Sequence, residues 1–363
     1  MAVYTSGGSS VHYGYETGAF GTPVTSGSGA SKKLSAPKTF GLNTSVSTLS
    51  LGTNRIDLNQ LGQIEPDAFA YGQQAGSCDV SFTWDDTDSQ ALFQSIYGAP
   101  SGNTSAFVYP ASSSNPSATT SPAVINSVSV QVDQQFTGAH TYSDGTTNST
   151  ATRIRRTLKG AVVTGLTLNT SVGQTVDGTC SLQYGKEDTT DSTEASGDIV
   201  NQTAITGKPL TFAHGTFKLS ADGSGLRTLG EIQTVSLNFN TNTALLYELG
   251  SHSSVDAYRQ VFEVTGSFQT SFKDIKHLTH LLNQASKDVN EEGVSDGSTH
   301  KNTNQTHVGA ELKFTSGNKH ITIELRSVAF GSHDISGLQP VQPVFEDLPF
   351  KALSARITTR TAA

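Results

Sequence analysis

The stretch "DDTD", residues 85–88, places three carboxylates within four positions, a spacing that could hold a hard cation. It lacks the glycine and the terminal glutamate of a calcium-binding loop. Asp and Thr directly before a helix accept its orphan N–H groups and sit against its positive end, so Asp86 and Asp88 read as helix caps. Asp274 takes the same role before a later predicted helix, 275–284. On that helix His277 and His280 are three apart, but without a Cys or carboxylate to complete a metal site they read as a solvent-facing edge. "TRIRRTLKG" is the basic cluster of the chain; Arg153 and Arg155 share one strand face and Arg156 points oppositely. These three are candidate subunit contacts, pairing with acids of a neighbouring subunit or serving as surface charge. The chain carries no nucleophile elbow and no phosphate-binding glycine loop. No catalytic, cofactor-binding or metal residue is therefore assigned, and the reading is of a structural protein rather than an enzyme.

Composition agrees with that reading. The chain has 363 residues, 34% hydrophobic and only 15% charged, with 35 glycines. Abundant Ser, Thr, Asn and Gln with many glycines suits short strands and turns, hence a mainly β fold. A formal charge of −8 argues against gripping nucleic-acid phosphates, though not against letting DNA pass. No apolar run is long enough to span a membrane, and the opening "MAVYTSGGSS" lacks the regions of a secretory signal, so a cytoplasmic origin is expected. Cys78 and Cys180 lie in alternating stretches and read as small buried hydrophobes.

Two passages carry similar grammar. "GSCDVSFTWDDTDSQALFQSIYG" alternates as a strand and then turns helical; "FEVTGSFQTSFKD" does likewise before "IKHLTHLLNQ". Leu61, Trp84 and Asp86 match Leu249, Phe272 and Asp274 at an offset of 188, while Ser50-Leu51 matches Ser236-Leu237 at 186. An internal duplication is expected, with residues 1–36 as an aromatic-bearing N-terminal arm, 37–185 and 206–363 as two domains, and the acidic stretch 186–205 as a solvated linker. The polar loops 53–72 and 241–260 stand at matching places in both.

Several segments together resemble the tail tube proteins of long-tailed phages and archaeal tailed viruses. "GYETGAFGTP" resembles a Glu-x-x-x-x-Gly-Thr opening, "SCDVSFTWDDTDSQALFQSIYG" a strand–helix unit, and "LKGAVVTGLTLNTSVGQTVDGTCSLQYGK" a middle hairpin. "LGEIQTVSLNFNTNTALLYELGS" with "FEVTGSFQTSF" is similar to the second-half signature, and "ITIELRSVAF" and "FKALSARIT" to the closing strands. The excursions 137–152 and 285–307 depart from the pattern.

The resemblance implies two tandem β-sandwich or partial-barrel domains, each flanked by a short helix, whose sheets join neighbouring subunits into rings. The rings would stack into a tube conducting double-stranded DNA from capsid to cell without binding it specifically. A duplicated chain could close a pseudo-sixfold ring as a trimer, with loops 53–72 and 241–260 reaching along the axis. Expected partners are further copies, other tail proteins at the tube ends and a tape-measure protein. No cofactor or membrane is involved, and the place of action is the virion tail, assembled in the host cytoplasm. A decoration or baseplate-hub protein, forming discrete particles, is the other reading.

Overall fold

Strand after strand in this chain alternates a core residue with a short polar one. Asp177–Tyr184 buries Gly178, Cys180, Leu182 and Tyr184 and turns Asp177, Thr179, Ser181 and Gln183 outward. Ile232–Asn240 and Glu263–Ser271 show the same period of two, which fixes one buried face per strand. The computed structural model describes residues 10–16, 19–26, 33–58, 68–98, 101–103, 106–109, 126–135, 140–141, 147–148, 153–192, 206–220, 227–228, 231–272, 308–332, 334–336 and 344–360. The fold is mainly β, and its main strands form one continuous barrel-like sheet.

Two antiparallel ladders make up that sheet. In the first, Leu42–Leu58 pairs with Ala68–Thr83, which pairs with Asp177–Tyr184, and this lies beside the later part of Arg153–Ser171. The earlier part of that long strand pairs with Val128–Gln135, which pairs with Ser10–Tyr15. In the second ladder Ile232–Asn240 pairs with Glu263–Ser271, then come Phe345–Arg360, Lys319–Phe330, Val308–Ser316 and Gly215–Ser220. With the principal strands of each half numbered one to six along the chain, both ladders run 2-3-6-5-4-1. The ladders meet where Gly165–Ser171 pairs with Asn240–Thr234. Ala106–Tyr109 adds a further link by pairing with Arg360–Ile357.

Side chains fill the space behind the sheet as a chain of rings. Tyr13 packs on Phe40 at 4.8 Å between centroids, Phe82 on Trp84 at 5.3 Å, and Trp84 stacks on Phe93 at 5.2 Å. Phe93 meets Phe239 edge-on at 5.9 Å, carrying the core from one half to the other. The buried Trp84 indole N–H donates to the Thr167 carbonyl at 3.1 Å, so the one polar atom of the ring is satisfied. Gly178 makes this possible: a Cβ there would meet Trp84 Nε1 at 2.4 Å and the Thr167 carbonyl at 2.9 Å.

Several expectations change here. Ser10–Tyr15 is an integral strand of the first ladder, so residues 1–36 are not a separate arm over that span. Lys186–Ser192 is also a strand, running along Lys159–Arg153, because its acids find cationic partners across the ladder. The expected linker over 186–205 therefore does not begin at 186. The helix after Trp84 is short, a 3-10 turn Ser89–Leu92 continued by Phe93–Tyr97, and it ends where Gly98 takes φ 84°. The predicted helix 275–284, with Asp274, His277 and His280, lies outside the described residues.

Gly178→Ala should destabilise the unassembled chain by about 1–3 kcal/mol through overpacking. Adding Trp84→Phe should recover part of that loss relative to the two single changes, read as thermal midpoints. Additive losses would mean that methyl and indole do not compete for the same space.

Candidate assembly surface

The described candidate residues, and Glu16 of the opening segment beside them, fall into three small constellations, each of which ties parts of the chain together. Glu16, in the "GYETGAFGTP" opening, accepts from the Gly21 amide at 2.8 Å and the Gly160 amide at 2.9 Å. The Ser127 and Ser129 hydroxyls donate to the same carboxylate at 2.6 and 2.5 Å. Gly160, at φ +59°, leaves room for Phe20, whose ring a Cβ would meet at 2.6 Å. One carboxylate thus latches the N-terminal segment onto two strands. The Glu–Gly spacing is visible in the sequence, but its distant partners are not.

At the helix start the capping residue is Asp85. Its carboxylate accepts from the Thr87 amide at 2.7 Å, the Ser89 amide at 3.1 Å and the Asp88 amide. Asp88 occupies the N-cap position but makes no side-chain capping bond. Asp86 faces the second half: Lys208 N–H donates to it at 3.0 Å, Ser316 Oγ at 3.0 Å, and Lys319 Nζ lies 3.4 Å away. The expectation of caps at Asp86 and Asp88 is therefore replaced by a cap at Asp85 and a cross-half anchor at Asp86. Alternation along 76–84 already puts Trp84 inward, and Asp85 follows into the turn at full burial. Burial pushes the Asp85 carboxyl up to about 6, against the pull of the Thr87, Asp88 and Ser89 amides. For Asp86 burial acts in the same direction, but Lys208 N–H, the Thr87 and Ser316 hydroxyls and Lys319 outweigh it and hold the carboxyl below its ordinary value.

The basic cluster is satisfied inside the chain wherever its side chains are described. Arg155, 2% exposed, bonds through Nε to Asp133 at 2.8 Å. Arg156 forks onto Glu187 at 2.5 and 2.8 Å, and Tyr184 OH donates to the same carboxylate at 3.0 Å. The Arg153 backbone pairs with Gln135 and Ser192, and its side chain lies outside the described residues. Alternation correctly separates the faces of Arg155 and Arg156, but it cannot show that the flanking strands Val128–Gln135 and Lys186–Ser192 bring their acids.

The outward face of the sheet is an organised surface. One row across it reads Thr48, Asp79, Ser181, Gly165, Asn240 and Glu263, each paired with the next. Below it Thr167, Asn238, Thr265 and Lys351 follow one another. Ser50 and Ser77 share a hydrogen bond at 2.8 Å, and Ser236 donates to Asn169 at 2.6 Å. Among the described residues of this face from Thr48 to Leu353, the ionisable side chains are Asp79, Asp177, Glu263, Asp347 and Lys351. Lys351 is itself paired with Glu263 at 2.5 Å. Among the described residues the surface is polar, sparsely charged and without a nucleophile–base pair, and at one end Leu42–Leu58 carries no ladder on its outer edge. Cys78 and Cys180, the two thiols, are free and fully buried beneath it. Among the described residues, no three His, Cys, Asp or Glu side chains gather as a ligand set, and no helix is long and apolar enough to cross a membrane.

An unpaired strand edge is a place where a further strand can add. The phage tail tube protein family matches residues 7–352, and this chain belongs to that family. It is a structural protein of the virion tail, assembling with itself into stacked rings. No curated protein matches the chain. Among solved structures, a chain of the tail of an empty GTA particle, computed with helical refinement in C6 symmetry, is similar at 16% identity and a TM-score of 0.27. That match covers 42% of this chain and 98% of the other.

The raised Asp85 carboxyl gives a signed prediction. Its stabilising contribution is complete below the ordinary carboxylate range and is lost as pH rises through about 6. Relative to Asp85→Asn, the thermal midpoint of the wild-type chain should therefore rise as pH falls from 7 to 4. A constant difference across that window would show that Asp85 does not titrate there.

Proposed function

We propose that three copies of this chain close one ring of the tail tube, each supplying two of six wall sectors, and that the polar sheet face lines the channel through which DNA passes. The observation that carries this reading is the 2-3-6-5-4-1 strand order, written twice and joined at a strand-to-strand seam.

Detail within the ladders supports a duplication. Residue numbers of paired partners sum to 127 over Leu49–Cys78 to Leu51–Gly76, and to 503 over Val235–Phe268 to Asn240–Glu263. A one-residue shift interrupts the two hairpins between Val46 and Thr48 and between Ile232 and Thr234, an offset of 186. Gly76 lies beneath Tyr184 and against the Ser50 carbonyl; Gly266 lies beneath Phe350 and against the Ser236 carbonyl. The same crowding at the same node in both halves favours descent from one unit over chance alternation. Joining two sectors covalently also replaces one bimolecular contact by a tethered one.

Channel chemistry follows from the face. Hydroxyls and amides hold water without gathering counterions, and four carboxylates against one paired ammonium favour repulsion of phosphates. DNA then slides rather than sticks. Host-cytoplasm assembly, tube-end partners and a tape-measure protein within the lumen belong to the same reading.

Negative-stain microscopy of the purified chain should show hollow filaments, and mass measurement of an isolated ring should give three chains. Discrete caps or knobs would favour a decoration or hub role, and six chains per ring would reject the trimer. Duplex DNA should not be retained by filaments at low salt; strong, salt-sensitive retention would reject the lumen assignment.

A further inference from the structure

The seam inside the chain exists because two edges are left open by their own halves. Val128–Gln135 covers Arg153–Ser171 only as far as Ala161, so Gly165–Ser171 is free to receive Ile232–Asn240. The second half repeats the situation. Val308–Ser316 covers the neighbouring strand only as far as Val328, and beyond it Asp334–Ser336 pairs with Asp347–Phe345 on one side alone among the described residues. At the other end of the sheet Leu42–Leu58 pairs with Ala68–Thr83 and, among the described residues, carries no ladder on its outer edge. Both edges show apolar side chains to solvent: Leu51 is 40% exposed and Ile335 37%. An open, partly apolar edge is a pairing site unless something covers it.

We propose that the boundary between neighbouring chains repeats the internal seam, the Asp334–Ser336 edge of one chain pairing antiparallel with the outer edge of Leu42–Leu58 of a second copy. The proposal rests on the ring reading above and specifies its contact. The register follows from the two halves. Gly165 pairs with Ser181 where the first ladder steps by one residue, and Asp334 pairs with Asp347 where the second does, an offset of 334 − 165 = 169. The hairpin strands differ by 232 − 46 = 186. In the seam Leu166 lies opposite Phe239, so across chains residue 166 + 169 = 335 lies opposite residue 239 − 186 = 53. Ile335 therefore faces Thr53 of the next copy.

A second element accompanies the ladder. The hairpin Thr243–Leu246 and Asp256–Arg259 lies on the first half: Gln74 N–H donates to the His252 carbonyl at 2.8 Å, Tyr247 OH donates to the Gln74 carbonyl at 2.6 Å, and Arg259 reaches the Ile96 carbonyl. Its counterpart in the first half is the extended ladder from Thr53–Gln74 to Leu58–Ala68. By the same geometry that arm lies on the second half of the adjoining chain. The described bases of these loops, 53–58 with 68–72 and 241–260, thus clasp sideways around the ring, with Leu249 fully exposed in the second.

Thr53→Cys and Ile335→Cys test the contact, since both native thiols are buried and do not compete. Oxidised filaments of the double variant should run as covalent three-chain rings in denaturing gels. An equal mixture of the two single variants should give dimers, and either alone should give none. Filaments whose chains remain monomeric, both for this pair and for pairs slipped by two residues, would overturn the proposal. A dimer from one single variant would overturn it as well, indicating a two-fold contact. Hydrogen exchange on the wild type provides an independent reading: the amides at 51–53 and 334–336 should gain protection on assembly, and unchanged exchange in intact filaments rejects the edges. Wild-type protein that forms no filament at all would reject the tube reading instead.

Discussion

Every part of this molecule answers to the rule that a strand edge must find a partner. A sheet presents a row of amide donors and carbonyl acceptors along each outer strand, and an unpaired row invites whatever strand arrives first. Here the rule is met internally by a seam of antiparallel pairs between Gly165–Ser171 and Asn240–Thr234. The ring packing of Phe93 on Phe239 and the indole bond of Trp84 to Thr167 lie against that seam. They fix its register, and the register decides which residues reach the polar face. A one-residue slip would turn Leu166, Leu168, Val235 and Leu237 outward in place of Thr167, Asn169, Ser236 and Asn238.

Much of this was legible in the sequence because alternation is a local signal. "VDGTCSLQYG" and "FEVTGSFQTSF" announce a strand with one buried face. Ser50 and Ser236, matched from sequence, occupy the same node beneath Gly76 and Gly266. The charged residues were harder to place. Arg155 and Arg156 looked available for a neighbouring subunit because their acids, Asp133 and Glu187, lie 22 and 31 positions away and become partners only through strand pairing. Likewise the acidic run after Gly185 looked like a solvated linker because like charges repel along the chain. In the sheet Glu187 and Asp188 are instead separated onto opposite faces, each beside a cation.

The helix cap illustrates the same limit at short range. "DDTD" signals capping, yet three acids compete for one role. Burial of Trp84 fixes the direction in which the chain enters the turn, and this aims Asp85 at the amides of Thr87, Asp88 and Ser89. Asp86, one residue on, is thereby turned toward the second half. Which carboxylate caps and which anchors is a property of the packed turn, not of the tetrapeptide.

The two cysteines carry a consequence for the durability of the particle. Cys78 and Cys180 are wholly buried, and burial pushes the Cys78 thiol up to about 12 and the Cys180 thiol higher still. Oxidants attack the thiolate, which these sites scarcely populate at neutral pH. A virion tail has no repair machinery of its own and must keep its wall intact until it is used. Sealing its sulfur behind the sheet leaves the wall chemically inert during the wait between one host and the next.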